Sequence, residues 1–98
     1  MAMVLDHTIV PVKDKITAAM FFAEILGLTV KLGQSDFAQV QINEKLTFDF
    51  ADKARFDPKA QSHHYAFHVS DAEFQAILDK VKAKGILFGS KPSNRTDG

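Results

Sequence analysis

His64-Tyr65-Ala66-Phe67-His68-Val69-Ser70-Asp71 (HYAFHVSD) repeats, 57 positions downstream, the outline of His7-Thr8-Ile9-Val10-Pro11-Val12-Lys13-Asp14 (HTIVPVKD). Laid one over the other, His64 falls on His7, Val69 on Val12 and Asp71 on Asp14. Those identities alone are a weak signal. The flanking residues strengthen them, because each segment runs into an amphipathic stretch that a glycine closes, Gly27 or Gly85. Repetition of a strand, a cap, a helix and a glycine stop marks two copies of one supersecondary unit.

The rest of the chain fills in that unit. Val4 to Val12 is β-branched and apolar and predicts a strand. Asp14 is placed to cap a helix carrying Ile16, Ala19, Met20, Ala23 and Leu26, which Gly27 ends. Three short strands are expected at 28–32, 37–42 and 46–50, separated by the polar turns 33–36 and 43–45. After a polar linker at 53–62, a strand at 63–69 leads through Ser70 and Glu73, spaced as a capping box, into a second helix. Phe74, Ile77, Leu78 and Val81 form its apolar stripe, Gly85 closes it, and Ile86 to Phe88 predicts one more short strand. The expected class is α+β, a single domain over 1–98. Repeat one spans 4–52 as βαβββ; repeat two spans 63–98 and is expected to be incomplete, about βαβ.

Composition narrows the function. Hydrophobic residues make up 46% of the chain, which suits a globular core and not a disordered segment. Twelve basic and twelve acidic residues cancel without a basic stripe, so neither a nucleic acid nor an acidic membrane is an expected partner. The absence of cysteine means that any metal must take nitrogen or oxygen ligands. No signal peptide or apolar span is recognised, and a cytoplasmic location is expected.

Three of the four histidines crowd into 63–68, which invites a metal site there. Strand geometry argues against it. His64 and His68 would share a face but lie ~13 Å apart at ~3.3 Å per residue, while each ligand must sit about 2 Å from a metal. A lone strand histidine is more often a surface or hydrogen-bonded residue than a ligand. The pair that can work is His64 with its repeat equivalent His7, if the two repeats meet about a pseudo-twofold axis. His68 is read as lining a pocket, and His63 as a strand-edge residue.

The βαβββ order with histidine in its first strand resembles the vicinal oxygen chelate superfamily of glyoxalases, extradiol dioxygenases, fosfomycin-resistance transferases and metal-free bleomycin-resistance proteins. Leu5-Asp6-His7, Phe21-Phe22-x-x-Ile25-Leu26-Gly27-Leu28, Leu46-Thr47-Phe48-Asp49-Phe50 and His64-Tyr65-Ala66-Phe67 carry the likeness. It spans nearly the whole chain, and the last of these stretches is nearest to the fosfomycin-resistance branch. The resemblance implies two half-barrel sheets with helices outside, enclosing a divalent Mn, Fe, Zn or Ni ion. It assigns His7 and His64 as metal ligands. The family's third ligand, a glutamate on the last strand of repeat two, has no counterpart before Gly98, which leaves metal occupancy open.

Gln39, Gln41, Phe48 and His68 are expected to line the substrate pocket. Asp49 or Glu44 could substitute for the third ligand only if the strand face permits it, and alternation, which sets Asp49 opposite Phe48 and Phe50, counts against Asp49. Gln39 and Leu46 stand where the fosfomycin enzymes carry aromatics, so fosfomycin is not the expected substrate. The implied function is a metal-dependent lyase, transferase or dioxygenase that binds a small molecule through two adjacent oxygens. The alternatives are a non-catalytic small-molecule binding protein and an inactive remnant. An incomplete second repeat would leave sheet edges bare, and predicts a homodimer, with strand or domain swapping as one way to cover them.

Overall fold

The computed structural model describes residues 3–33, 36–52, 65–86 and 88–89. The chain divides into two compact units, Met1–His64 and Tyr65–Gly98. The first holds strand β1 (His7–Pro11), helix α1 (Lys15–Leu26), and strands β2 (Thr29–Lys31), β3 (Ala38–Gln41) and β4 (Thr47–Ala51). This is the βαβββ order expected of repeat one. Each strand lies within a residue or so of its expected place, except that β1 is shorter than expected.

The sheet runs β1-β4-β3-β2. β1 and β4 pair in parallel, while β4–β3 and β3–β2 are antiparallel. α1 begins where two carboxylates take its first amides: Asp14 accepts from Thr17 N at 3.1 Å, and Asp52, just past β4, accepts from Lys15 N at 3.0 Å. Unpaired N–H groups at a helix start need such acceptors. Asp52 also ties the end of β4 to the start of α1.

α1 packs on one face of the sheet through small residues. Ala19 and Ala23, four apart, are buried and let the helix axis approach closely. Between them Phe22 reaches the sheet, its ring centroid 5.6 Å from that of Phe48 and 5.4 Å from that of Phe50. Val10, Ala38 and the fully buried Val40 complete this core. The large alternate residues of every strand that touches α1 therefore define the helix side, and the residues between them define the other face.

The second unit contains helix α2 (Asp71–Ala83). Its capping box forms as the sequence predicts: Glu73 N donates to Ser70 Oγ at 3.1 Å, and Ser70 N donates to the Glu73 carboxylate at 2.8 Å. Both helices end alike. Gly27 and Gly85 take the left-handed conformation, φ +70° and +68°. Leu28 N then bonds Ala23 O at 2.8 Å, and Ile86 N bonds Val81 O at 3.1 Å. These are the six-to-one closures of Schellman motifs, so the repeat extends to its hydrogen-bonded helix ends.

Strands are expected over 63–69 and 86–88; of these spans the described residues, Tyr65–Val69, Ile86 and Phe88, lie outside any strand. Alternating Tyr, Phe and Val give a segment the propensity for a strand, but a strand also needs a ladder, and none that includes these segments occurs among the described residues. His63, His64 and the linker at 53–62 lie outside the described residues.

Candidate functional site

The sheet face turned away from α1 is polar. Register places two rows across it. His7 aligns with Thr47 and Thr47 with Gln41; Ile9 aligns with Asp49, Asp49 with Gln39, and Gln39 with Lys31. His7, Gln39 and Gln41 are thus brought to one face. Phe48 is not. Its ring is buried against Phe22 on the helix side, so the expectation that it lines the pocket is corrected. Asp49 corrects with it: the alternation that sends Phe48 inward turns Asp49 to the His7 face. The cue is in the sequence, because bulky alternate apolar residues such as Phe48 and Phe50 belong under a helix. His68 is exposed in the second unit.

His7 is mostly exposed, and its Nδ1 lies 2.8 Å from the Asp6 carboxylate. A carboxylate only accepts, so Nδ1 carries the proton and Nε2 is left with its lone pair outward in the neutral ring. The hydrogen bond to Asp6 raises the His7 pKa above its ordinary value, partial desolvation opposes, and the charges of Asp49 and Asp6 add to the rise. Asp49 therefore acts electrostatically on His7 as well as sharing its face.

Asp49 is the buried charged residue of the core strands, 6% exposed. Gln39 Nε2 donates to its Oδ1 at 3.2 Å. Gln41 Nε2 donates to the backbone carbonyls of Asn43 and, at 3.5 Å, Leu46, and the Thr47 hydroxyl donates to Gln41 Oε1 at 3.4 Å. Asn43 holds this turn by accepting from Lys45 N at 2.8 Å and Leu46 N at 2.9 Å. A shallow apolar depression lined by Met20, Phe21, Leu28 and Val30 lies on the helix side, away from this face.

The residues fit part of a metal site. One imidazole is held through Nδ1, its Nε2 without a hydrogen-bond partner among the described residues, and one buried carboxylate shares its face. No cluster of three or more His, Cys, Asp or Glu occurs among the described residues, and His64 stands outside them.

A four-stranded mixed sheet with one crossover helix, followed by a second capped helix, defines the chain as a βαβββ-repeat protein of the α+β class. A family profile, Glyoxalase/Bleomycin resistance protein/Dioxygenase superfamily, matches residues 4–98, and the chain belongs to that superfamily. The match stands at that level and does not select the fosfomycin-resistance branch. Among solved structures, oxidase ChaP-H2 is 33% identical with a TM-score of 0.87, over 98% of this chain and 73% of its own. Oxidase ChaP-H1 is likewise 33% identical, TM-score 0.85, over 97% of this chain and 74% of its own. A possible glyoxalase from Bacillus cereus, 22% identical with a TM-score of 0.61 over 94% and 84%, shares the fold. No helix among the described residues is long and apolar enough to cross a membrane.

Proposed function

We propose that the chain is a metal-dependent enzyme of the oxidase or dioxygenase type, acting on a small molecule held through two adjacent oxygens. The observation that carries this reading is His7, its Nδ1 anchored on Asp6, facing the same side of the sheet as the buried Asp49. With His64, the repeat equivalent of His7, these residues make up two imidazoles and one carboxylate. That donor set suits a divalent ion with open positions, ferrous iron above all. The similarity to two oxidases supports the same class.

Bound there, the ion would supply Lewis-acid polarisation of the substrate oxygens. The chain's own residues do the rest. Asp6 fixes the His7 tautomer and ring orientation. Asp49 brings a negative charge that a cation compensates, at a position where an uncompensated carboxylate is costly. Gln39 and Gln41 hold the substrate body over the sheet.

Two-oxygen chelation is directly testable. Water-proton relaxivity of the Mn²⁺-loaded chain should fall when acetohydroxamate, a bidentate oxygen ligand, displaces bound water. Unchanged relaxivity at saturating acetohydroxamate would count against the reading.

A further inference from the structure

The glutamine orientations fix a ligand chemistry. The partner of Gln39 Nε2 is a carboxylate, and the partners of Gln41 Nε2 are backbone carbonyls. All of these only accept, so both amides are locked with the NH₂ end inward to the protein. Gln39 Oε1 has no protein donor among the described residues. Gln41 Oε1 takes one proton from Thr47 at 3.4 Å, and a carbonyl oxygen has a second lone pair to offer. Thr47, having spent its proton on Gln41, also turns to a ligand as an acceptor.

From Thr47 and Asp49 across to the two glutamines, the face therefore presents acceptors. The lysine in these rows, Lys31, stands on the outermost strand, farthest from His7, whose neutral ring also turns an acceptor, Nε2, to a ligand. Half-buried Ile9 and Pro11 add apolar surface on the β1 side.

We infer that this face selects neutral ligands that bring their own hydrogen-bond donors, hydroxylated small molecules with an apolar body, and rejects carboxylates and ether-capped analogues. This rests on the proposed small-molecule function and names its substrate class. An acceptor-only wall rejects an anion because facing lone pairs repel. It rejects an ether because the half-buried acceptors that the ligand covers would stay unpaired, an effect that discriminates by orders of magnitude in sites built for hydroxyls.

The probes are resorcinol, 1,3-dimethoxybenzene and benzoate, titrated into the 98-residue chain by amide-resolved NMR with a chelator present. Resorcinol cannot chelate through adjacent oxygens, so its binding is independent of metal. The expected result is that resorcinol shifts the amides of β3 and β4 and binds at least about tenfold tighter than either other probe. Asp49→Asn, which offers Gln39 both a donor and an acceptor and so releases its orientation, should cut that preference severalfold while the spectrum stays folded. Gln39→Leu should do the same if Asp49→Asn fails to fold. Equal binding of resorcinol and dimethoxybenzene, tighter binding of benzoate, no binding of any probe, or a preference untouched in the folded variants overturns the inference. Metal uptake together with any of those results would leave the enzyme reading standing and sink the ligand class alone.

Discussion

His7 owes its chemistry to the residue before it. The bond from Nδ1 to Asp6 favours the protonated ring, so the folded-state pKa lies above the ordinary 6.5. A raised folded value means that the stabilisation is fully present below the unfolded pKa and is lost as pH rises through the folded one. Titration of the ring protons by NMR in metal-free protein should give a midpoint above 6.5, and Asp6→Asn should bring it down. A wild-type midpoint at or below 6.5 would contradict the anchoring. Phe48 makes the second test at this scale. As a core ring stacked on Phe22, its truncation to alanine should cost about 3–5 kcal/mol in thermal or denaturant unfolding. A pocket residue would cost little, so a loss below about 1 kcal/mol would return Phe48 to the pocket. The sequence shows the alternation of Thr47-Phe48-Asp49-Phe50 plainly. Which phase faces the ligand becomes evident only when the phenylalanines are assigned to the helix, and the orientation of Asp49 is then determined.

Among the elements, helix ends are the most legible. Asp14, Ser70, Glu73, Gly27 and Gly85 act where their local chemistry requires, because caps depend on residues within one turn. Parallel pairing of β1 with β4 is not legible, since register between segments some 40 residues apart is set by packing on α1 and not by either segment. For the same reason propensity alone does not make a strand over 63–69, of which the described part, 65–69, lies outside any strand. α2 has no buried residue, so its caps matter more. Ser70→Ala should destabilise it by about 1 kcal/mol, read by amide exchange along 71–83. Gly85→Ala should cost about 1–2 kcal/mol through backbone strain alone, because a Cβ there meets no neighbour within 4 Å. Backbone and side-chain bonds from Ser70 hold the Glu73 carboxyl below its ordinary 4.5. Its contribution is present above that value and fades as pH falls through the lowered one. Exchange protection of α2 should decline in acid along that course in the wild type, and be flat in Glu73→Gln.

For the molecule as a whole, membership of the superfamily and the polar face opposite α1 support the proposal that His7, His64 and Asp49 hold a divalent metal. The internal repeat makes His7 and His64 legible as a pair, because equivalence of position needs only an offset in the sequence. Asp49 is placed on that face by the sheet register. We also propose a homodimer, because β1 and β2 are the outer strands of the four-stranded sheet and such edges favour pairing. Sedimentation equilibrium should give twice the chain mass of 10.9 kDa. A monomer across the whole concentration range would contradict it. The central claim meets its most direct test in anaerobic calorimetric titration of Fe²⁺ into the 98-residue chain and its His7→Ala, His64→Ala and Asp49→Asn variants. The wild type should take up about one ion per chain, with affinity lower by at least about tenfold in each folded variant. No uptake of Fe²⁺ by the wild type, or uptake undiminished in His7→Ala, would contradict it.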